Sequence, residues 1–355
     1  MVGIVSERRL GNLEVIDQRL IDVDLGGTDE ELQVQVVNRN SKYGGLGTLR
    51  SCRAPSPPLT DSRSMQKTWG TGKTILTFLA VAYGLAIALS LVVGLTGGYR
   101  SPFVAAGFFS TFAPALAVLV VTWIADERPV VHNAFPLRYL PVALFLIPVV
   151  LHAVMLPTMA ATEGIQWQDW LTPQSDGLFH APASRGWGVL TLPELVGRIG
   201  LNAIVGLVVV CFLVFFEEIG WRAWLLPRLR ARIGARTAVV LTSITWALWH
   251  VPFGLSGIQH IDGLSPMQVA IGVPAGVMAA GLILGWLWLR TESVWLCAIA
   301  HGALNNWGQY AFKYMKDGPA TAADLVSIRA GFLALFVVGM FLIVMLPGGE
   351  TSAGR

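Results

Sequence analysis

Residues 215–229 read FFEEIGWRAWLLPRL. The flanks are apolar enough for a membrane interior, yet Glu217, Glu218 and Arg222 fall within six residues of one another. A charged side chain at the centre of a bilayer costs roughly 2.5–3.5 kcal/mol on insertion scales. Whether that cost applies depends on what surrounds the stretch.

The surroundings are those of a membrane protein. Of 355 residues only 13% are charged and 54% are hydrophobic, against about 25% charged in an ordinary soluble domain. Residues 1–73 hold 19 of the 47 charged residues, which leaves 28 for the rest. That is too few to wet the surface of a soluble protein. A cytosolic enzyme, a secreted disulfide scaffold and a nucleic-acid-binding domain are thereby excluded. Cys52, Cys211 and Cys297 form neither a framework nor a CxxC site. The net charge of +3 points to no partner.

Residues 1–73 are polar, with a Pro/Ser-rich stretch at 54–58 and a short alternating run at 32–37. They read as a poorly ordered cytoplasmic extension. No apolar run follows the first basic residues, so no signal peptide is expected. Met65 precedes Lys67, Lys73 and the first span, which makes a translation start near Met65 an open reading.

Eight apolar windows from residue 74 on are long enough to cross a hydrocarbon core of about 30 Å. They are 75–97, 102–125, 139–158, 200–226, 237–256, 268–289, 293–312 and 330–347. The expected architecture is an all-α, polytopic transmembrane bundle over 74–347, followed by a tail at 348–355. Only the fourth window contains Asp, Glu, Lys or Arg. The run Arg228, Arg230, Arg232 and Arg236 favours both termini on the cytoplasmic side. Trp167, Trp170 and Trp187 in the loop 159–199 suit an interfacial aromatic belt.

Glu218 and Arg222 are four apart with the acid first, which suits a helical ion pair. That pairing leaves Glu217, about 100° further round the helix. Two later windows also carry polar groups: WALWH ends in His250, and HGALNN contains His301, Asn305 and Asn306. His301 and Asn305 share one helical face. Counting about 1.5 Å per residue from the inner ends puts Glu217 at roughly 16 Å, His250 at roughly 19 Å and His301 at roughly 14 Å. Polar groups from three helices at one depth form a functional site by default. Glu with His activates water as a general base. His with Asn supplies two donors for the oxyanion of a tetrahedral intermediate. Glu217, His250 and His301 also make a possible zinc-ligand set, so chemistry with and without a metal both stand at this point. His152, alone in its span, reads as a satisfied hydrogen-bonding histidine.

Other motifs lead nowhere. GTGKT at 70–74 lacks the first glycine of a phosphate-binding loop, because Lys67 stands there, so no nucleotide is expected. GxSxG and HExxH are absent, and every span lacks Asp. Gly272, Gly276, Gly281 and Gly285 have the spacing of close helix packing.

EEIGWR, WALWH and HGALN resemble the three signature motifs of the CPBP family, which comprises the type II CAAX prenyl endopeptidases and the bacterial Abi-type membrane proteases. The likeness covers about 200–310, with Trp246 where many members have Phe. It implies a multi-helix membrane protease in which Glu217 and His250 activate water and His301 and Asn305 form the oxyanion site. Glu218, Arg222 and Trp246 would orient them. The family is often described as metalloproteases; a Glu/His mechanism without metal is the reading favoured here. The implied partners are membrane lipid and a peptide or protein with a hydrophobic or membrane-proximal C-terminus. Two competing readings are a non-catalytic partner, such as a bacteriocin-immunity or scaffold protein, and a proton-coupled transporter. The transporter would favour matching halves, and no repeat between 75–225 and 226–347 is apparent.

Overall fold

The computed structural model describes residues 71–131 and 135–346. The expectations for residues 1–70, including the run at 32–37 and the start near Met65, lie outside it, as does the tail from 348. Eleven α-helices are present among the described residues: α1 Thr71–Leu95, α2 Ala113–Ala125, α3 Leu140–Thr162, α4 Leu192–Glu218, α5 Leu226–Ile233, α6 Ala235–Trp249, α7 Val251–Ser256, α8 Pro266–Thr291, α9 Val294–Trp307, α10 Tyr310–Met315 and α11 Ala322–Val344. A two-stranded antiparallel ribbon, β1 Phe179–His180 with β2 Val189–Leu190, closes the long loop before α4. α1 begins at Thr71, so residues 71–74 of the GTGKT motif form the first turn of a helix.

Seven helical segments among the described residues are long and apolar enough to cross a membrane. This bears out a polytopic helix bundle and a multi-pass membrane protein, with one difference from the eight windows. The window 293–312 is a 14-residue helix, α9, that stops at Trp307 before α10 restarts. At 1.5 Å per residue α9 is about 21 Å long, short of the hydrocarbon core. It packs against α3, α4 and α8, with Leu296, Cys297, Ala300 and His301 buried. A broken helix is tolerated at membrane depth where protein rather than lipid surrounds it. The outer helices show the opposite pattern: Trp123 and Leu95 are 85% and 84% exposed, as side chains solvated by lipid are.

Close packing sets the helix spacing. α6 lies along α8, α4 along α9, and α3 and α8 along α11. A Cβ on Gly281 would come within 2.8 Å of Ser243, and one on Gly285 within 2.5 Å of Val239, so α8 and α6 touch almost backbone to backbone. Gly276 meets Phe332 of α11. Gly272 has open space, so it takes no part in the packing that its spacing suggests. His152 Nδ1 bonds the Pro148 carbonyl at 2.7 Å within its own helix, not across helices.

Local chemistry sets the ends of the elements. Thr191 and Glu194 form a reciprocal capping box at the start of α4, as do Ser265 and Gln268 at α8. Pro227 has no N–H to give the Ala223 carbonyl, and Val130 N–H takes that carbonyl at 2.7 Å instead. Just upstream the backbone widens into a π-helical segment, Ile219–Leu225, where Leu226 N–H reaches back to Trp221 O. Pro252 acts similarly: it separates α6 from α7, with His250 at the junction.

Candidate active site

Glu217 and Glu218 are the last two residues of α4, and Arg222 sits inside the π segment. Trp246 and His250 lie one turn apart at the end of α6, and His301 is midway along α9. All six are buried. Buried charges must be paired, since a lone ion in a low dielectric is very costly.

The pairing is specific. Arg222 Nη1 donates to Glu218 Oε1 at 3.0 Å, the expected helical ion pair. The same oxygen accepts His301 Nδ1–H at 2.9 Å. Glu218 thus joins α4 to α9. Glu217 accepts Trp246 Nε1–H at 2.9 Å through Oε2. The Arg222 guanidinium lies over the Trp246 ring, 4.2 Å from its centroid, a cation–π contact. The Trp246 ring meets the His301 ring edge to face at 4.8 Å. His250 donates Nδ1–H to the Trp246 carbonyl at 3.0 Å. A neutral imidazole then carries its lone pair on Nε2, which has no partner among the described residues. Trp249 and Phe253 wall that ring, with centroids 5.1 and 5.9 Å away.

Hydrogen bonds and the Trp246 ring contact thus join EEIGWR, WALWH and HGALN to one another. The three motifs therefore meet at one place. Asn305, one turn beyond His301, is half-buried and makes no hydrogen bond among the described residues. Its neighbour Asn306 is spent on structure, donating to the Ala203 carbonyl of α4 at 2.7 Å. Glu218 Oε2 and Arg222 Nε and Nη2 are buried without a protein partner.

Spacing within the sequence shows the Glu218–Arg222 pair but misses the bond between Glu218 and His301, 83 residues apart. It also misses the indole bond to Glu217. The one available signal was a tryptophan one turn before a membrane histidine. The possible metal set fares differently. Among the described residues no three His, Cys, Asp or Glu side chains are grouped to hold a metal ion. Glu217, His250 and His301 are turned instead to Trp246 Nε1, Trp246 O and Glu218. As arranged they do not form a ligand shell.

The fold and site define a multi-pass helical membrane protein with a buried Glu/Arg/His cluster at its centre. Comparison with known proteins adds a family. Residues 199–307, which carry all three motifs, match the family model for type II CAAX prenyl endopeptidase Rce1-like proteins. A CAAX prenyl protease 2 from Methanococcus maripaludis is 25% identical over 128 residues, 36% of this chain and 47% of that relative. The chain thus spans about half the length of the curated relative it matches. Together these findings support the CPBP-family protease that the motifs imply.

Proposed function

We propose that this chain is an intramembrane endopeptidase that hydrolyses a peptide bond near the membrane, with water activated by Glu217 and His250. One observation carries the reading: three separate helices bring an acid, two imidazoles and an arginine together out of bulk water, while His250 Nε2 and the Asn305 amide keep their hydrogen-bonding capacity. A structural cluster would be expected to spend those groups on the fold.

Water held between the Glu217 carboxylate and His250 Nε2 gives up a proton as its oxygen attacks the scissile carbonyl. Negative charge then develops on the carbonyl oxygen. The Asn305 amide and His301 Nε2–H stabilise it as fixed donors. His301 already gives Nδ1–H to Glu218, so donating Nε2–H as well makes it an imidazolium, whose charge Glu218 opposes. When the C–N bond breaks, the leaving amine takes the proton removed from the water. Glu218, Arg222 and Trp246 position these groups and touch no substrate.

The substrate in this reading is a peptide or protein with a hydrophobic or membrane-proximal C-terminus. An apolar groove of about 610 Å³ supports it, lined by Phe112, Leu116, Leu119 and Thr122 together with Phe216 and Ile219, which flank the two glutamates. The catalytic bundle is taken as 74–347, with both termini on the cytoplasmic side, α9 and α10 together making the eighth passage between the seven long spans.

The test uses purified protein in detergent and quenched peptides whose scissile bond lies near a hydrophobic C-terminus. Glu217→Ala, His250→Ala and His301→Ala are each expected to lower the rate by about 10²–10⁴. A parent that cuts no such peptide, with variants that still support a binding phenotype, would establish a non-catalytic partner instead.

A further inference from the structure

Far from the Arg228–Arg236 run, at the other end of α4, two cations lie among aromatic rings without a carboxylate. Arg185, in the loop between β1 and β2, has its guanidinium 4.6 Å from the Trp170 ring centroid and 5.3 Å from those of Trp187 and Tyr314. Lys313 of α10 stands 5.6 Å from the same Tyr314 ring and 5.5 Å from Tyr310. Lys313 Nζ donates to Asn202 Oδ1 of α4 at 2.9 Å, a neutral acceptor. Both cations are half-buried. Neither has an acid within ion-pair distance among the described residues. Nearby Glu163 and Asp324 are both taken by Lys316, at 2.7 and 3.3 Å.

The two like charges act on each other: burial, and then the charge of Arg185, hold the Lys313 ammonium below the usual lysine range. Cation–π contacts satisfy the face of a guanidinium, and beyond the N–H that Arg185 gives the Tyr314 hydroxyl the rest of its edge is left for an oxyanion. A half-buried pair of like charges repels until an anion joins it. The setting narrows the choice of anion. Trp and Tyr cluster where a spanning bundle meets lipid headgroups, and Trp170, Trp187, Tyr310 and Tyr314 supply that cluster here.

We propose that Arg185 and Lys313 form a binding site for the phosphate of an anionic phospholipid, held at the aromatic end of the bundle. Arg185 grips the phosphate oxygens with its planar fork, and Lys313 adds a point charge. The occupied site ties the β1–β2 loop to α10 and α4. The site stands apart from the Glu/His cluster and does not depend on the proposed hydrolysis.

The experiment uses the full chain in phosphatidylcholine nanodiscs doped with phosphatidylglycerol, with the phosphatidylglycerol retained by the protein counted by native mass spectrometry. Arg185→Gln and Lys313→Gln are each expected to lower retention about fivefold, with Arg185→Lys intermediate. Thermal unfolding of each variant shows that it is folded. Retention unchanged in a folded Arg185→Gln/Lys313→Gln variant overturns the proposal. If that double variant does not fold, the parent decides. Loss of phosphatidylglycerol with rising salt upholds the site, and retention indifferent to salt overturns it. Inorganic phosphate that displaces the lipid at equal concentration also overturns it, because the ligand is then the free ion.

Discussion

Glu218→Gln separates the structural acid from the chemical one. Glu218 is fully buried, and one of its oxygens accepts from both Arg222 and His301. Glutamine keeps the shape and one acceptor but removes the charge. Arg222, 1% exposed and with Nε and Nη2 already lacking protein partners, would be left as an uncompensated buried cation. Breaking a buried pair from one side costs about 3–5 kcal/mol, a large share of a typical total of about 5–15 kcal/mol. Glu217→Gln is a milder change. It weakens one charge-assisted bond from Trp246, worth about 1.5–3 kcal/mol, and strands no ion-paired cation. The assay is thermal unfolding followed by tryptophan fluorescence in detergent, beside peptide cleavage. Glu218→Gln should lose folded yield and activity together, whereas Glu217→Gln should stay folded and lose cleavage. Adding Arg222→Met to Glu218→Gln should recover stability, because the stranded charge goes too, but not cleavage, because no carboxylate is left to oppose the charge on His301. Normal yield with no activity in Glu218→Gln would refute the reasoning and make Glu218 the chemical acid.

Trp246→Phe keeps an aromatic face for Arg222 but removes the Nε1 donor to Glu217. The cleavage rate should fall by about tenfold, and the unfolding temperature should drop by the loss of one charge-assisted hydrogen bond, about 1.5–3 kcal/mol; an unchanged rate would show that the indole does not position Glu217. Gly302→Ala puts a methyl group against Cys211 Sγ where α9 crosses α4. Overpacking should cost about 1–3 kcal/mol, and Cys211→Ala in the same chain should recover part of the unfolding temperature, since the backbone of residue 211 stays 3.1 Å from the new methyl group. At the loop, hydrogen bonds from Lys316 and then Thr321 hold the Glu163 carboxyl below its usual 4.5, and the bond to Glu163 holds Lys316 above its usual 10.5. A lowered acid stabilises above its unfolded value and loses that contribution as pH falls through the folded one. A raised base stabilises below its unfolded value and loses it as pH rises through the folded one. Protection against hydrogen exchange in the segment 163–172, taken relative to the intrinsic exchange rate at each pH, should therefore be greatest between pH 4.5 and 10.5 and should fall beyond both limits. Glu163→Gln should remove the acidic limb, and an unchanged acidic limb would assign it to another group.

The spans are legible in the sequence because an uncharged run of twenty apolar residues has few solvents other than lipid. That criterion does not distinguish lipid from protein as the apolar surroundings. α9 therefore reads like its neighbours, although it is short and enclosed. The Glu218–Arg222 pair is legible because four residues is a local distance on a helix. The Glu218–His301 bond is not, because no local spacing reports a contact between two helices. Pro227 and Pro252 were visible in the sequence, and each marks a point where backbone carbonyls need another partner. Weighed more heavily, they point to the π segment and to the break at His250. Trp246 stands out as an aromatic in its motif, but its indole bond to Glu217 appears only once α4 and α6 are side by side.

Trp246 touches Glu217 with its nitrogen, Arg222 with its ring face, His301 with its ring and His250 through its carbonyl. Four reactive or charged groups thus share a single mechanical support. They cannot be adjusted one at a time from that ring: a replacement that removes it acts at once on the acid, the counter-ion and the second imidazole, while the backbone carbonyl still holds His250. Engineering of altered rate or selectivity is therefore better aimed at Asn305 and at the groove beside Phe216 and Ile219, where a side chain can change without moving its neighbours in concert.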